Sequence, residues 1–248
     1  MNFYNFASSS SGNCYWIELE RSSGKPVKIL IEAGITYKDI VKKATQNDLD
    51  LTELDAVLVT HGHQDHARGV SDLIKRGFKV YGNQYVASGM RETLEDGSLK
   101  VIAADTFVVP FHVEHDAPDS LGFVVYTDLE KILFVADCKY WKADLSNQKF
   151  TNVIIEANYD GQLLHHAYET SVENMNITEA SGYRRIFEAH MSIKNCITQL
   201  QKLDLSECSA IFLIHLSDRN ARELIFKEEV QRIIKKPCMV AKKYGGFI

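Results

Sequence analysis

The segment His61-Gly62-His63-Gln64-Asp65-His66 puts three imidazoles and a carboxylate within six residues, directly behind Thr60 and the apolar run Ala56-Val57-Leu58-Val59. Neutral imidazole beside carboxylate is the donor set that zinc takes. Its place in the sequence constrains the fold more than any other feature. A short β-branched run reads as a buried strand, so the ligands sit at a strand exit and any further ligands must come from other strand ends. His61 and His63 are expected to converge on one ion, while Asp65 and His66, opening the next helical turn, point to a second. The competing reading is a surface histidine cluster at a turn.

Short β-branched runs bounded by turn residues recur along the chain. Strands are expected at Asn2 to Ala7, Cys14 to Leu19, Val27 to Glu32, Ala56 to Val59 and Lys79 to Tyr81. A second series is expected at Phe107 to Val113, Gly122 to Tyr126, Lys131 to Ala136, Asn152 to Glu156, Ala210 to His215 and Cys238 to Ala241. Helical spacing is cleanest in Ile193, Ile197, Leu200 and Leu203, with Ser192 as N-cap. Helices are also expected over Asn83 to Leu94 and Ala221 to Lys235. Strands in meanders with interspersed helices predict an α/β chain of four layers, αββα, in which two mixed sheets are flanked by helices. No linker or repeat marks a boundary, so residues 1–248 read as one domain.

The balance of 28 Lys+Arg against 33 Asp+Glu gives a net charge of −5, which argues against a protein that coats nucleic acid electrostatically. No stretch approaches the roughly 18 apolar residues of a membrane span, and the start carries no signal-peptide pattern, so a cytoplasmic location away from membranes is expected. Cys14, Cys138, Cys196, Cys208 and Cys238 are scattered, with no C-x-x-C pair, and are read as reduced thiols.

The H-x-H-x-D-H loop behind a hydrophobic strand and a Thr resembles that of the metallo-β-lactamase superfamily. Several further segments resemble the YycJ/WalJ branch of small nuclease-like proteins. These are Ala7-Ser8-Ser9-Ser10-Ser11-Gly12-Asn13-Cys14, Glu156-Ala157-Asn158-Tyr159-Asp160 with Tyr in place of His, His115-Asp116-Ala117, and His215-Leu216-Ser217 with Asn220. The resemblance implies that His115 joins His61 and His63 on a first metal. It implies that His215 joins Asp65 and His66 on a second, and that Asp137 bridges the two. Cys138, beside Asp137, is expected to be a buried neutral thiol. His112 differs in strand parity from His115 and is read as structural; His165 and His166 are read as a solvated helix end or loop. Glu32 stands where the superfamily has Asp and is expected to support the metal loop.

Glu188-Ala189-His190-Met191-Ser192 resembles a second histidine motif of that branch, with Ala189 for Gly and Ile193 for Asn. This implies that His190 is a non-ligand histidine serving the phosphoryl group or leaving oxygen. Catalysis is expected to rest on Asp65 and His190. The implied cofactors are two divalent cations, zinc first and manganese second, and the implied chemistry is hydrolysis. A redox flavodiiron site is disfavoured because that pattern has Glu where His63 stands. A phosphodiester is favoured over a thioester or lactone, which would need no His190. The favoured substrate is a cyclic nucleotide such as cyclic CMP or cyclic UMP. This follows a resemblance to phage-encoded anti-Pycsar phosphodiesterases, which counter bacterial defence signalling in the host cytoplasm. The alternative is a DNA or RNA nuclease of YycJ type, and the competing class outside enzymes is a metal-stabilised nucleotide sensor. Tyr140, Trp141 and Tyr159 are candidate base-stacking residues. Arg184, Arg185, Lys194, Lys139 and Lys142 are candidates for a phosphate patch. The relatives imply a homodimer, with Lys242 to Ile248 and Gln162 to Asn174 as candidate interface segments.

Overall fold

A computed structural model describes residues 1–87 and 92–248. Sheet one runs β1 (Asn2–Ser9), β2 (Gly12–Leu19), β3 (Val27–Ile31), β4 (Ala56–Val59), β5 (Val80–Gly82), β6 (Glu92–Thr93) in sequence order. The second sheet contains β7 (Lys100–Ala103), β8 (Thr106–Glu114), β9 (Leu121–Tyr126), β10 (Lys131–Val135), β11 (Tyr140–Trp141), β12 (Asn152–Glu156), β13 (Ala210–Ile214) and β14 (Cys238–Val240). Its order is β11-β8-β9-β10-β12-β13-β14, with β7 also on β8. Each sheet is an antiparallel meander that continues into parallel strands: β3 with β4 and β5 in one, β10 with β12, β13 and β14 in the other.

Strand parity builds the layers. On β2, Tyr15, Ile17 and Leu19 pack between the sheets with Ile132 and Phe134 of β10 and Ile154 of β12. The alternate residues Cys14 and Trp16 face outward onto α1 (Tyr37–Gln46), α2 (Gln64–Ala67) and α3 (Val70–Lys75). Leu133, Val135, Val153 and Ile155 face outward on the other side, where they meet α6 (Ile193–Leu200) and α7 (Glu223–Ile234). The architecture is the expected αββα sandwich. A hairpin of α4 (Gly161–Glu173) and α5 (Ile177–Ala189) joins β12 to α6.

Ser192 caps α6 as expected, its Oγ accepting the Asn195 N–H at 3.1 Å. The helix expected over Asn83 to Leu94 is not present in its described part. Residues 83–87 form a turn, Glu92 and Thr93 form β6, and residues 88–91 lie outside the described residues. Asn83 turns its side chain to the carbonyls of Pro118 and Asp119, anchoring the turn to another loop, and this tertiary contact outweighs the weak helical spacing. Helices α1 and α5 were not anticipated, and His165 and His166 lie within α4. Among the described residues no helix is long and apolar enough to cross a membrane. Phe247, in one of the expected interface segments, packs against the core between the sheets, while Tyr244 is exposed.

Candidate metal centre

Parallel strands side by side bring their carboxyl ends to one edge, and the functional side chains sit there. Glu156 of β12 is paired with Ile214 of β13, and Val135 of β10 with Ile155 of β12. The chain therefore delivers Asp137, Glu156 and His215 side by side, from positions far apart in sequence. Across the sandwich, β3 and β4 deliver Glu32 and the His61 to His66 loop. Three of these residues leave their strands in the left-handed region: Glu32 with φ 65°, Asp137 with φ 39° and His215 with φ 53°. None is a glycine, so each conformation costs on the order of 1 kcal/mol or more.

The first cluster is His61, His63 and His115. Thr60 Oγ1 donates to Glu32 Oε1 at 2.6 Å and lies 2.9 Å from His61 Nδ1, so Nδ1–H donates to the hydroxyl and Nε2 keeps its lone pair. His115 Nδ1 is 2.9 Å from the Ala189 carbonyl, which can only accept, so its Nε2 also keeps a lone pair. His63 Nδ1 lies 3.1 Å from His61 Nε2 and 3.3 Å from His115 Nε2. Two nitrogens bound to one tetrahedral zinc at about 2.0–2.1 Å would be about 3.3–3.4 Å apart. The three atoms are spaced to surround a cation.

The second cluster is Asp65, His66, Asp137 and His215. His66 Nε2 is 3.2 Å from Asp137 Oδ2, 3.5 Å from Asp65 Oδ2 and 3.1 Å from the Asn13 side-chain amide. His215 Nδ1 donates to Glu156 Oε1 at 2.9 Å, and its Nε2 is buried without a partner. Asp137 Oδ1 lies 2.8 Å from His215 Nδ1, and its Oδ2 lies 3.6 Å from His115 Nε2, between the two clusters. A buried polar atom without a partner is rare, and His215 Nε2 marks where a cation would sit. The seven side chains fit a pair of divalent cations: His61, His63 and His115 could hold one, Asp65, His66 and His215 the other, with Asp137 between them.

Electrostatics agree with this. Burial holds His61 well below the usual imidazole range, as a ligand requires. Burial also opposes protonation of His66 and His215, but Asp137 outweighs it in both, aided by Glu32 at His66. His66 is raised well above its ordinary value and His215 to about 10. Asp137 is held well below its ordinary value, because His215 and His66 overcome the burial that would raise it. Without cations, protons on His66 and His215 balance this carboxylate group. Burial pushes the Cys138 thiol well up, in line with the expected neutral thiol.

His190 stands between the clusters without being part of the two ligand triads. Its ring centroid is 5.3 Å from that of His115 and 5.2 Å from that of His215. Nδ1 is 2.7 Å from Glu156 Oε1, and the ring borders a cleft of about 420 Å³. Glu156, fully buried, stood in one of the resembling segments but was given no role by sequence reasoning. Its Oε1 takes both His190 and His215, and its Oε2 takes the backbone N–H groups of Cys138 at 2.8 Å and Met191 at 3.1 Å. The available signal was a lone carboxylate ending the apolar run Asn152 to Ile155. Asn13 was also missed as a partner of His66. Glu32 supports the loop as expected, through Thr60.

Other candidates fall elsewhere. His112 is exposed in a separate cavity, its backbone N–H bound to Asp96. Trp141 packs against Phe111 in the core and Tyr159 against Phe187, while Tyr140 lies exposed on an edge strand, so none of the three lines the cleft. Of the basic residues singled out in the sequence, Arg185 lines the cleft; Arg184 pairs with Glu188, and Lys142 with Glu114.

The domain family described as "Beta-lactamase superfamily domain" matches residues 28–215, so this chain belongs to the β-lactamase superfamily. It is a metal-dependent hydrolase of that superfamily. It is 25% identical over 233 residues to Exodeoxyribonuclease WalJ of Streptococcus pneumoniae, covering 80% of this chain and 84% of the relative. It is 25% identical over 240 residues to Exodeoxyribonuclease YycJ of Bacillus anthracis, covering 90% and 86%. Among solved structures, the metallo-β-lactamase fold protein YhfI of Bacillus subtilis superposes with a TM-score of 0.65 at 14% identity, covering 98% of this chain and 99% of that one.

Proposed function

We propose that the chain is a two-metal phosphodiesterase acting on nucleic-acid ends, as its exodeoxyribonuclease relatives do by name. The observation that carries the reading is His190, pinned through Nδ1 to Glu156 between the two clusters, with its ring bordering the cleft. Divalent cations, zinc in the first instance and manganese in the second, would supply Lewis acidity and a water of lowered pKa. The chain's own residues do the rest. Asp65, which His66 keeps ionised against burial, is placed to accept a proton from the attacking water. His190 is raised above its ordinary value because Glu156 outweighs burial. That direction favours a proton on the ring, which a departing alkoxide needs.

A second reading, hydrolysis of cyclic mononucleotides, rests on the cleft and the charge. A volume of about 420 Å³ is in the range of small-molecule sites, and a net charge of −5 offers no broad basic track. The test is product formation with zinc or manganese from linear DNA and RNA, single- and double-stranded, beside 3′,5′-cyclic mononucleotides, with chelator and His61→Ala controls. Shortened polymers with intact cyclic nucleotides are expected. Cyclic nucleotides opened to monophosphates beside intact polymers would replace the first reading with the second, and ligand binding with no product from either would make the chain a sensor.

A further inference from the structure

Helix α5 forms one wall of the cleft beside His190. Glu179, Gly182, Tyr183 and Ile186 fall at i, i+3, i+4 and i+7, so one helical face lines it, with Arg185 at its edge. The opposite wall is Ser10 and the loop from Ser217 to Asn220.

Two features of this groove have no use in the packing of the chain. Gly182 lies in the middle of α5, where glycine weakens a helix relative to alanine. A Cβ there would meet nothing within 4 Å, and no unusual backbone angle calls for glycine. The position is bare on the side that faces the cleft. The second feature is a pair of guanidinium groups at the rim. Arg185 Nε donates to Asp116, and among the described residues no hydrogen bond engages its terminal nitrogens. Among the described residues Arg219 has only Glu179 as an ion-pair partner, at 3.6 Å, and Glu179 also accepts from the Tyr183 hydroxyl at 3.1 Å. Both arginines are largely exposed, with side-chain exposures of 60% and 79%. The neighbouring acid Asp218 is paired with Lys243. Planar guanidinium forks with free donors at the mouth of a bare groove match phosphate oxygens.

We propose that the groove between α5 and the 217–220 loop seats the nucleotide unit adjacent to the scissile phosphate, and that Arg185 and Arg219 bind the phosphate this unit carries. The bare backbone at Gly182 gives the sugar and base room against the helix, with the Tyr183 ring beside it. The site thereby selects substrates with a second phosphate one nucleoside away from the bond that is cut. This rests on the phosphodiesterase reading above and names the determinant of its specificity.

The test is calorimetric binding of deoxyadenosine 3′,5′-bisphosphate, the 5′- and 3′-monophosphates and deoxyadenosine to the metal-loaded protein. Wild type should bind the bisphosphate about 10-fold or more tighter than either monophosphate, the worth of one charge-assisted contact. Arg219→Ala, which does not touch the Asp116 and His115 chain, should erase that advantage, and Arg185→Ala should reduce it with metal content checked alongside. Gly182→Ala should raise the melting temperature, and Gly182→Phe should fold yet lose bisphosphate affinity. A wild type with no bisphosphate preference, or a preference that survives in Arg219→Ala and Gly182→Phe, overturns the proposal. Hydrolysis of bis(p-nitrophenyl) phosphate by wild type is measured separately. Its absence would remove the phosphodiesterase reading while the binding series still decides the groove.

Discussion

Glu156→Gln changes one atom at the point where four segments meet. The carboxylate accepts four N–H groups, two imidazole and two backbone, on two oxygens. A glutamine keeps one acceptor oxygen and turns an NH2 toward the other pair, so two buried donors lose their partner. At about 2 kcal/mol for each charge-assisted bond the loss is about 4 kcal/mol, which lowers the melting temperature by about 8–16 °C for a chain of this size. The alternative relaxation, in which both imidazoles shift their protons, puts hydrogen on His215 Nε2 and removes a metal ligand. Either route is visible in thermal unfolding, metal analysis and turnover measured together, with turnover expected to fall about 100-fold as His190 loses its partner. The pH dependence of the metal-free protein adds a check. Glu156 is lowered because His190 outweighs burial, so its contribution is present above its unfolded value and lost as pH falls through the depressed folded one. His190 is raised, so its contribution is present below its unfolded value and lost as pH rises through the raised folded one. The stability gap between wild type and Glu156→Gln should be widest between about pH 4.3 and 6.5. A variant melting within about 2 °C of wild type, with full metal and full turnover, would refute the reasoning.

His61→Ala should lose about one equivalent of metal and with it activity, whereas His190→Ala should keep both equivalents and turn over about 100-fold more slowly; metal loss in the second variant would make His190 a ligand. Because carboxylates hold protons on His66 and His215 in the metal-free state, metal uptake should release protons and tighten as pH rises. Calorimetry in two buffers of different ionisation enthalpy measures this, and a buffer-independent heat would contradict it. Gly34→Ala should prevent stable folding of the metal loop, since a Cβ there would lie 1.6 Å from the Asp65 carbonyl oxygen and 2.7 Å from the Asn13 nitrogen. Circular dichroism and metal content check it, and a folded, metal-loaded variant would show that the close approach is dispensable.

The His61 to His66 loop was legible because its information is local: two ligand pairs two and one residues apart, behind a run whose β-branched composition states its own burial. His115, Asp137 and His215 were picked out by the family resemblance, which asks for donors at strand ends, and strand character is a local, period-two property; the αββα layering is the same alternation repeated. Helix α6 was legible from its stripe and from Ser192. The turn at Asn83 was not, because its conformation is set by carbonyls of a distant loop, and α5 was not, because a helix that presents one face to a cleft has no continuous apolar stripe. The role of Glu156 was the largest omission. A buried carboxylate is costly by itself, and what makes it tolerable, two imidazoles and two N–H groups from residues 138, 190, 191 and 215, is brought together only in the folded chain, by parallel strands ending at one edge and by the connection between α5 and α6. The sequence by itself determined the candidate ligands of the His61 to His66 loop and, with the family resemblance, the order of the others and the strands that carry them, since these depend on neighbours along the chain. The tertiary structure alone decided which nitrogen of His115 and His215 is free, which carboxylate holds His190 and which arginines line the cleft, since each of these depends on residues distant in sequence.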